Sequence, residues 1–227
     1  MNPKVKIISS KDGSDTLFLE DLDETYHSVN GAIQESDHVF IQQGLNKYVD
    51  LFPAKKIKVL EVGFGTGLNV LLLIKNSILR NIELEIHTVE KFPLSSFITE
   101  NLNYPDLLSW DLSASYFNKI HSISWNEIHQ IHPLIQFKKI KTDLMDYEEK
   151  GFDFILYDAF APSKQPEMWT LDSLEHVKKL ANISSVFVTY CAKGQVRRDL
   201  ASLGYSMERV PGPPGKLHML RGIQNNK

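Results

Sequence analysis

The alternation of apolar and polar positions changes character near residue 56. Before it, V-K-I-I-S-S and D-T-L-F-L-E are short apolar runs around a D-G-S-D turn, the pattern of a β-hairpin. A-I-Q-E-S-D-H-V-F-I-Q-Q-G-L-N-K-Y-V-D-L-F then reads as a helix, with Pro53 just past its end. Beyond that point strands and helices alternate. I-K-V-L-E-V, L-E-I-H-T-V-E, I-Q-F-K-K-I-K-T-D, F-D-F-I-L-Y-D-A-F and S-S-V-F-V-T-Y-C-A predict five strands. L-N-V-L-L-L-I-K-N-S-I-L, F-P-L-S-S-F-I-T-E-N-L, residues 171–181 and Q-V-R-R-D-L-A-S-L-G-Y predict helices, the last stopped by Gly204. Segment 103–133, with Trp110, Trp125 and three histidines, is expected to form one or two helices over a sheet edge. Y-S-M-E-R-V and K-L-H-M-L-R-G predict two final strands joined by P-G-P-P-G.

Near-continuous apolar strands separated by helices imply a mostly parallel sheet covered on both faces. The last two strands are too close in sequence for a parallel crossover, so they pair antiparallel. The expectation is an α/β, doubly wound, Rossmann-like fold with an antiparallel last strand. Residues 53–227 would form the main domain, and residues 1–52 a small N-terminal hairpin and helix extension within one compact unit.

Composition narrows the class. The 227 residues are 42% hydrophobic and 23% charged, an ordinary globular profile. The opening M-N-P-K-V-K-I-I-S-S does not fit a signal peptide, and no apolar run approaches the roughly 20 residues that span a bilayer. A cytoplasmic protein without a membrane partner is expected. The single cysteine, Cys191, excludes an internal disulfide and reads as a small buried residue at a strand end rather than a nucleophile. His129 and His132 form H-x-x-H without a carboxylate or cysteine at ligand spacing, so no metal is expected. The formal net charge is −3, but residues 191–227 carry 7 bases and 2 acids, which allows a local basic face.

The candidate chemistry starts at E-V-G-F-G-T-G. A glycine-rich turn between the first strand of a doubly wound sheet and its helix lets a ligand approach bare backbone at the topological switch point. The order here is Gly63, Gly65, Gly67, not the dinucleotide G-x-G-x-x-G, and Glu61 precedes the first glycine. An acid there suits the ammonium of an amino acid, directly or through water, better than a pyrophosphate. Glu90 ends the second strand, where it can accept from ribose hydroxyls; Asp143 ends the third, near an adenine amino group; Asp158 ends the fourth. Each could instead cap the next helix. Together with the glycines they point to S-adenosyl-L-methionine.

The chain also resembles a known family, the methyltransferase domain of the bacterial enzyme that completes 5-methylaminomethyl-2-thiouridine at the tRNA wobble position. The resemblance covers almost the whole sequence: Y-H-S-V-N-G-A-I-Q-E-S-D-H-V-F, E-V-G-F-G-T-G-L-N, T-V-E-K-F-P, D-A-F-A-P-S-K-Q-P-E-M-W and Y-C-A-K-G-Q-V-R-R-D-L. The glycine motif alone says only class I methyltransferase; the last two blocks are more specific. The resemblance implies a tRNA substrate and adds Thr66 and Asn69 to the cofactor set. It also implies that the segment with Tyr26, Glu35 and His38 lids the cofactor. Two departures stand out. Family members often place Arg-Glu after the lysine of the last loop, where Leu217 and His218 follow Lys216 here. In many bacteria the domain is fused to a flavin-dependent oxidase, so a separate enzyme would supply the aminomethyl precursor.

The implied reaction is in-line attack of a primary amine on the sulfonium methyl, with Asp158 as orienting acceptor or base and positioning as the main source of rate. Phe160 and Pro162 would form an apolar wall. Trp169 could stack a flipped-out base or anchor the following helix. Lys164, Lys193, Arg197 and Arg198 are expected to rim the pocket and contact phosphates, or else to pair with the acidic N-terminal segment. The rival readings are an aminopropyl transferase of the spermidine-synthase type, a small-molecule amine methyltransferase, and a non-catalytic cofactor-binding partner of an oxidase.

Overall fold

The computed structural model describes residues 5–54 and 56–224; the remaining residues of the two expected segments lie outside it. Strands β1 (Val5–Ser9), β2 (Asp15–Leu19) and β3 (Glu24–Thr25) form a small antiparallel sheet. A continuous helical run follows, made of α1 (Ala32–Ser36), a wide π-helical stretch (Asp37–Leu45) and α2 (Asn46–Leu51). Gly44 lies where this run meets the main sheet, and a Cβ there would come within 2.5 Å of the Phe154 ring. Only glycine permits so close an approach.

The main sheet begins with β4 (Lys56–Val62), followed by α3 (Leu68–Arg80) and β5 (Glu83–Glu90). Short helices α4 (Ser96–Thr99) and α5 (Tyr104–Leu107) and the longer α6 (Ser113–Ser122) lead to β6 (Ile128–His132) and β7 (Ile135–Lys141). Then come β8 (Phe152–Tyr157), α7 (Leu171–Leu180), β9 (Ala181–Thr189), α8 (Gly194–Ser202), β10 (Ser206–Pro211) and β11 (His218–Gln224). The sheet order is β10-β11-β9-β8-β4-β5-β7-β6. The five central strands are parallel, and β11 runs antiparallel to both β9 and β10.

The doubly wound expectation is met, with two corrections. Segment 103–133 contains a strand as well as helices: β6 pairs antiparallel with β7 at the sheet edge. Its I-H-Q-I-H sequence buries only Ile131, so its apolar signal is weak. The helix expected over F-P-L-S-S-F-I-T-E-N-L shrinks to Ser96–Thr99, because Pro93 disfavours helical backbone at Phe92.

Alternation along the strands makes two apolar layers. Val59, Phe154 and Leu156 face α3 and the helical run, while Leu60, Val62, Ile155 and Tyr157 face α7 and α8. The chain runs outward from β4 through β5 to β7, then returns to β8 on the other side. The C-terminal ends of β4 and β8 therefore flank the switch point, where open α/β sheets bind ligands.

Candidate active site

Gly63, Gly65 and Gly67 have φ of 92°, 48° and 77°, all in the left-handed region that glycine enters without strain. Gly63 N–H donates to Val89 O at 2.9 Å, tying the loop to β5. A Cβ on Gly63 would lie 3.0 Å from Asp158 O, and one on Gly65 would lie 3.0 Å from the Tyr26 ring. The loop is thus held between the exit of β8 and the N-terminal segment. A cavity of about 1250 Å³ opens over it, with Gly63, Gly65, Glu90, Asp143 and Asp158 on its wall.

The four carboxylates divide into different environments. Glu90 accepts from Gly65 N–H at 3.1 Å and Phe92 N–H at 2.8 Å, one oxygen each. Carboxylate oxygens carry further lone pairs, so Glu90 can still accept from a ligand. Asp143 accepts from Met145 N–H and pairs with Lys91 at 2.7 Å, and that hydrogen bond to Lys91 holds it below the usual carboxylate range. It therefore caps a turn and also faces the cavity.

Glu61 is fully buried behind the loop rather than on the cavity wall. One oxygen accepts from Thr88 Oγ1; the other, Oε1, has no partner. Burial pushes its pKa well above the ordinary value, against the Thr88 hydrogen bond. Direct contact with a ligand ammonium is thereby corrected: only a contact relayed through water or neighbouring groups remains. Asn69 is also buried, donating from Nδ2 to Asp158 Oδ2 at 2.8 Å while its Oδ1 is unpartnered. Thr66 Oγ1 lies 2.9 Å from His27 Nε2, and burial lowers the His27 pKa to about 4, so that ring is neutral near pH 7.

Asp158 stands at the meeting point. Its carboxyl is raised to about 7, first by desolvation and further by the charge of Glu35, against the Asn69 hydrogen bond and the Lys216 charge. A carboxyl poised near neutrality can hold or release a proton at working pH.

Tyr26, Glu35 and Lys216, which the resemblance brought to notice, lie on the cavity wall together with Tyr190. Tyr26 meets Phe160 edge-to-face, ring centres 5.0 Å apart. Glu35 accepts from Ser28 N–H at 2.7 Å and forms an ion pair with Lys216, which also lines the cavity. The Lys216 Nζ lies 3.9 Å from the ring centre of Tyr190, whose hydroxyl donates to Ala159 O.

The expected substrate residues separate. Phe160 and Lys164 line the cavity, with Lys164 also 3.7 Å from Asp23 in the acidic N-terminal segment. Pro162 is off the cavity wall. Trp169 is 6% exposed, and its indole N–H donates to Phe160 O at 2.7 Å. It anchors the segment before α7, which corrects the stacking expectation because neither ring face is free. Lys193, Arg197 and Arg198 are exposed at the start of α8 but do not line the cavity, which corrects their placement on its rim.

His129 and His132 sit on β6, bound to Ser124 Oγ and Leu134 N–H respectively. Glu85, His87 and Glu149 cluster elsewhere at ligand-like spacing, but Lys56, Lys58 and Lys138 pair with the two acids. Among the described residues, no helix is long and apolar enough to cross a membrane.

A family model described as S-adenosyl-L-methionine-dependent methyltransferase matches residues 109–225, just over half of the chain. The chain belongs to that family. It is also similar to the tRNA 5-methylaminomethyl-2-thiouridine biosynthesis bifunctional protein MnmC of Leptospira borgpetersenii, 32% identical over 216 residues, covering 90% of this chain and 33% of the relative. The protein of the same name from Pseudomonas syringae is 28% identical over 217 residues, 89% of this chain and 32% of the relative. The chain spans about a third of the length of these curated relatives. Among solved structures, that of MNMC2 from Aquifex aeolicus superposes with a TM-score of 0.81 at 26% identity, covering 99% of this chain and 72% of that one.

The methyltransferase assignment identifies the cofactor as S-adenosyl-L-methionine, and the loop fits it. The backbone is bare at Gly63 and Gly65, Glu90 and Asp143 on the cavity wall carry oxygens that can accept from hydroxyl and amino groups, and Glu61 and Asn69, buried off that wall, each keep an unpartnered oxygen.

Proposed function

We propose that this methyltransferase acts on the primary amine of 5-aminomethyl-2-thiouridine at the tRNA wobble position. One observation carries the reading: a single cavity joins the glycine loop to Asp158, whose carboxyl titrates near pH 7. The names of the similar proteins, which specify biosynthesis of this tRNA nucleoside, support the substrate.

Gly63, Gly65, Glu90 and Asp143 would hold the cofactor, which supplies an electrophilic methyl with a good thioether leaving group. The residues have a different task. An alkyl amine resembles lysine and holds its proton near pH 7, so the site must take that proton and aim the lone pair. Ionised Asp158 does both, positioned by the Asn69 amide. Phe160 and Tyr26 close the cavity with apolar surface, which favours the neutral amine. The N-terminal segment and the last loop together act as a lid, joined by Glu35 and Lys216. Exposed Lys193, Arg197 and Arg198 contact tRNA phosphates away from the cavity.

Incubation with S-adenosylmethionine and tRNA from cells lacking this activity tests the reading. Mass spectrometry of the nucleosides should find aminomethyl-thiouridine heavier by one methyl. Unchanged nucleosides, with methyl transfer to free small amines instead, would move the acceptor to that class.

A further inference from the structure

Lys216 carries a primary alkylammonium, the same group that the proposed acceptor presents. Its Nζ is bonded to the Glu35 carboxylate and lies 3.9 Å from the centre of the Tyr190 ring. Glu35, Tyr190, Lys216 and Asp158 all line the same cavity. The two members of the ion pair differ in their freedom. The Glu35 side chain is only 8% exposed and is fixed by Ser28 N–H, whereas that of Lys216 is 32% exposed on the turn between β10 and β11. Lys216 can swing into water; Glu35 cannot.

If Lys216 leaves, the Glu35 carboxylate remains buried without its counter-charge and the Tyr190 face without its cation. A buried charge stripped of its partner is costly. The ligand that restores both contacts is another ammonium small enough to enter the cavity.

We propose that Glu35 and the Tyr190 ring form the subsite for the acceptor's ammonium, and that Lys216 is its resident surrogate, displaced when the acceptor binds. This rests on the amine-methyltransferase reading above and adds where the amine docks before Asp158 takes its proton. The ion pair then does two things. It keeps the lid closed over an empty site, and it sets a competition that weakens binding of amines lacking further contacts to help expel Lys216. Glu35 is here a binding residue, and Lys216 a competitor.

The test is equilibrium binding to the full chain, followed by NMR, with three probes: butylamine, the free nucleoside 5-aminomethyl-2-thiouridine, and the uncharged control 5-methyl-2-thiouridine. Lys216→Met empties the subsite but leaves the Glu35 carboxylate without its partner, so its folding is checked by melting temperature against Lys216→Arg. Lys216→Met should tighten binding of both amines by about fivefold, the scale of one partly exposed cation–π contact, and leave the uncharged control unchanged. Lys216→Arg, which keeps a cation in place, should give no gain. Adding Glu35→Gln to Lys216→Met should abolish the gain.

Amine affinity that is unchanged or weaker in Lys216→Met overturns the subsite. That result together with normal methylation of tRNA would leave the tRNA reading standing without it. Tighter butylamine binding with unmethylated tRNA would keep the subsite and remove the uridine.

Discussion

Asp158 lies one residue beyond β8, with Asn69 donating to it and Glu61, Glu35, Lys216 and Tyr190 as its titratable or charged neighbours. Burial leaves its carboxyl half-protonated near pH 7. A positive sulfonium nearby favours the ionised form and lowers that pKa. Binding of S-adenosylmethionine is then linked to proton release and strengthens as pH rises toward 7, levelling off above it. The product S-adenosylhomocysteine, whose sulfur is a neutral thioether, lacks this term. Calorimetric titration from pH 5.5 to 8 should therefore show a steeper affinity rise for the substrate than for the product, and Asp158→Asn should remove the difference. Parallel profiles in the native protein would place Asp158 away from the sulfonium. Asp158 and Glu90 were legible in sequence because a strand-terminal acid is local to its strand. The pairing of Glu35 with Lys216 was not, because it joins residues 181 positions apart. Trp169 could be read either way until its indole N–H found Phe160 O.

At the level of elements, β7 and α6 support the glycine loop from beneath. Lys139 on β7 is 1% exposed and donates to His121 O at 2.9 Å, with its Nζ 4.9 Å from the Trp125 ring centre. His121 on α6, neutral because burial lowers it to about 4, bonds Thr66 O in the loop at 3.1 Å. Burial pulls Lys139 down to about 8 from 10.5. A lowered lysine pKa means that the folded state carries the charge at a cost. The cost is full below about pH 8 and fades toward 10.5, as the folded chain releases the proton before the unfolded one does. Lys139→Met should therefore melt higher than the native protein at pH 7, with the gap narrowing by pH 10. A gap that does not change with pH would mean that burial of this charge is not what the substitution relieves. The strands of the central sheet were legible because each is a continuous apolar run. β6 was not, since an edge strand burying one side chain in five has almost no pattern. The π-helical winding at Asp37–Leu45 had no local signature either; it accompanies the close contact of Gly44 with Phe154.

For the whole molecule, the fold puts a cavity rich in acids and a basic helix start on an overall acidic chain. The proposed division of labour is that the cavity recognises the amine and the helix start recognises phosphate. Replacing Arg197 and Arg198 with Glu should weaken tRNA binding and reduce the slope of log affinity against log salt by about one per lost phosphate contact. Methylation of a short anticodon stem-loop that does not reach these residues should be spared. An unchanged salt slope would assign both arginines to solvated surface. In the proposed reaction this cavity moves a methyl group to the wobble amine, and Asp158 receives the amine's proton. The most direct test is a single-turnover reaction with methyl-labelled S-adenosylmethionine and tRNA bearing 5-aminomethyl-2-thiouridine, comparing the native protein with Asp158→Asn. Label should appear on 5-methylaminomethyl-2-thiouridine, at a rate roughly 100-fold or more below native in the variant, with the cofactor still bound at pH 7. Label absent from that nucleoside, or equal rates in the two proteins, would contradict it.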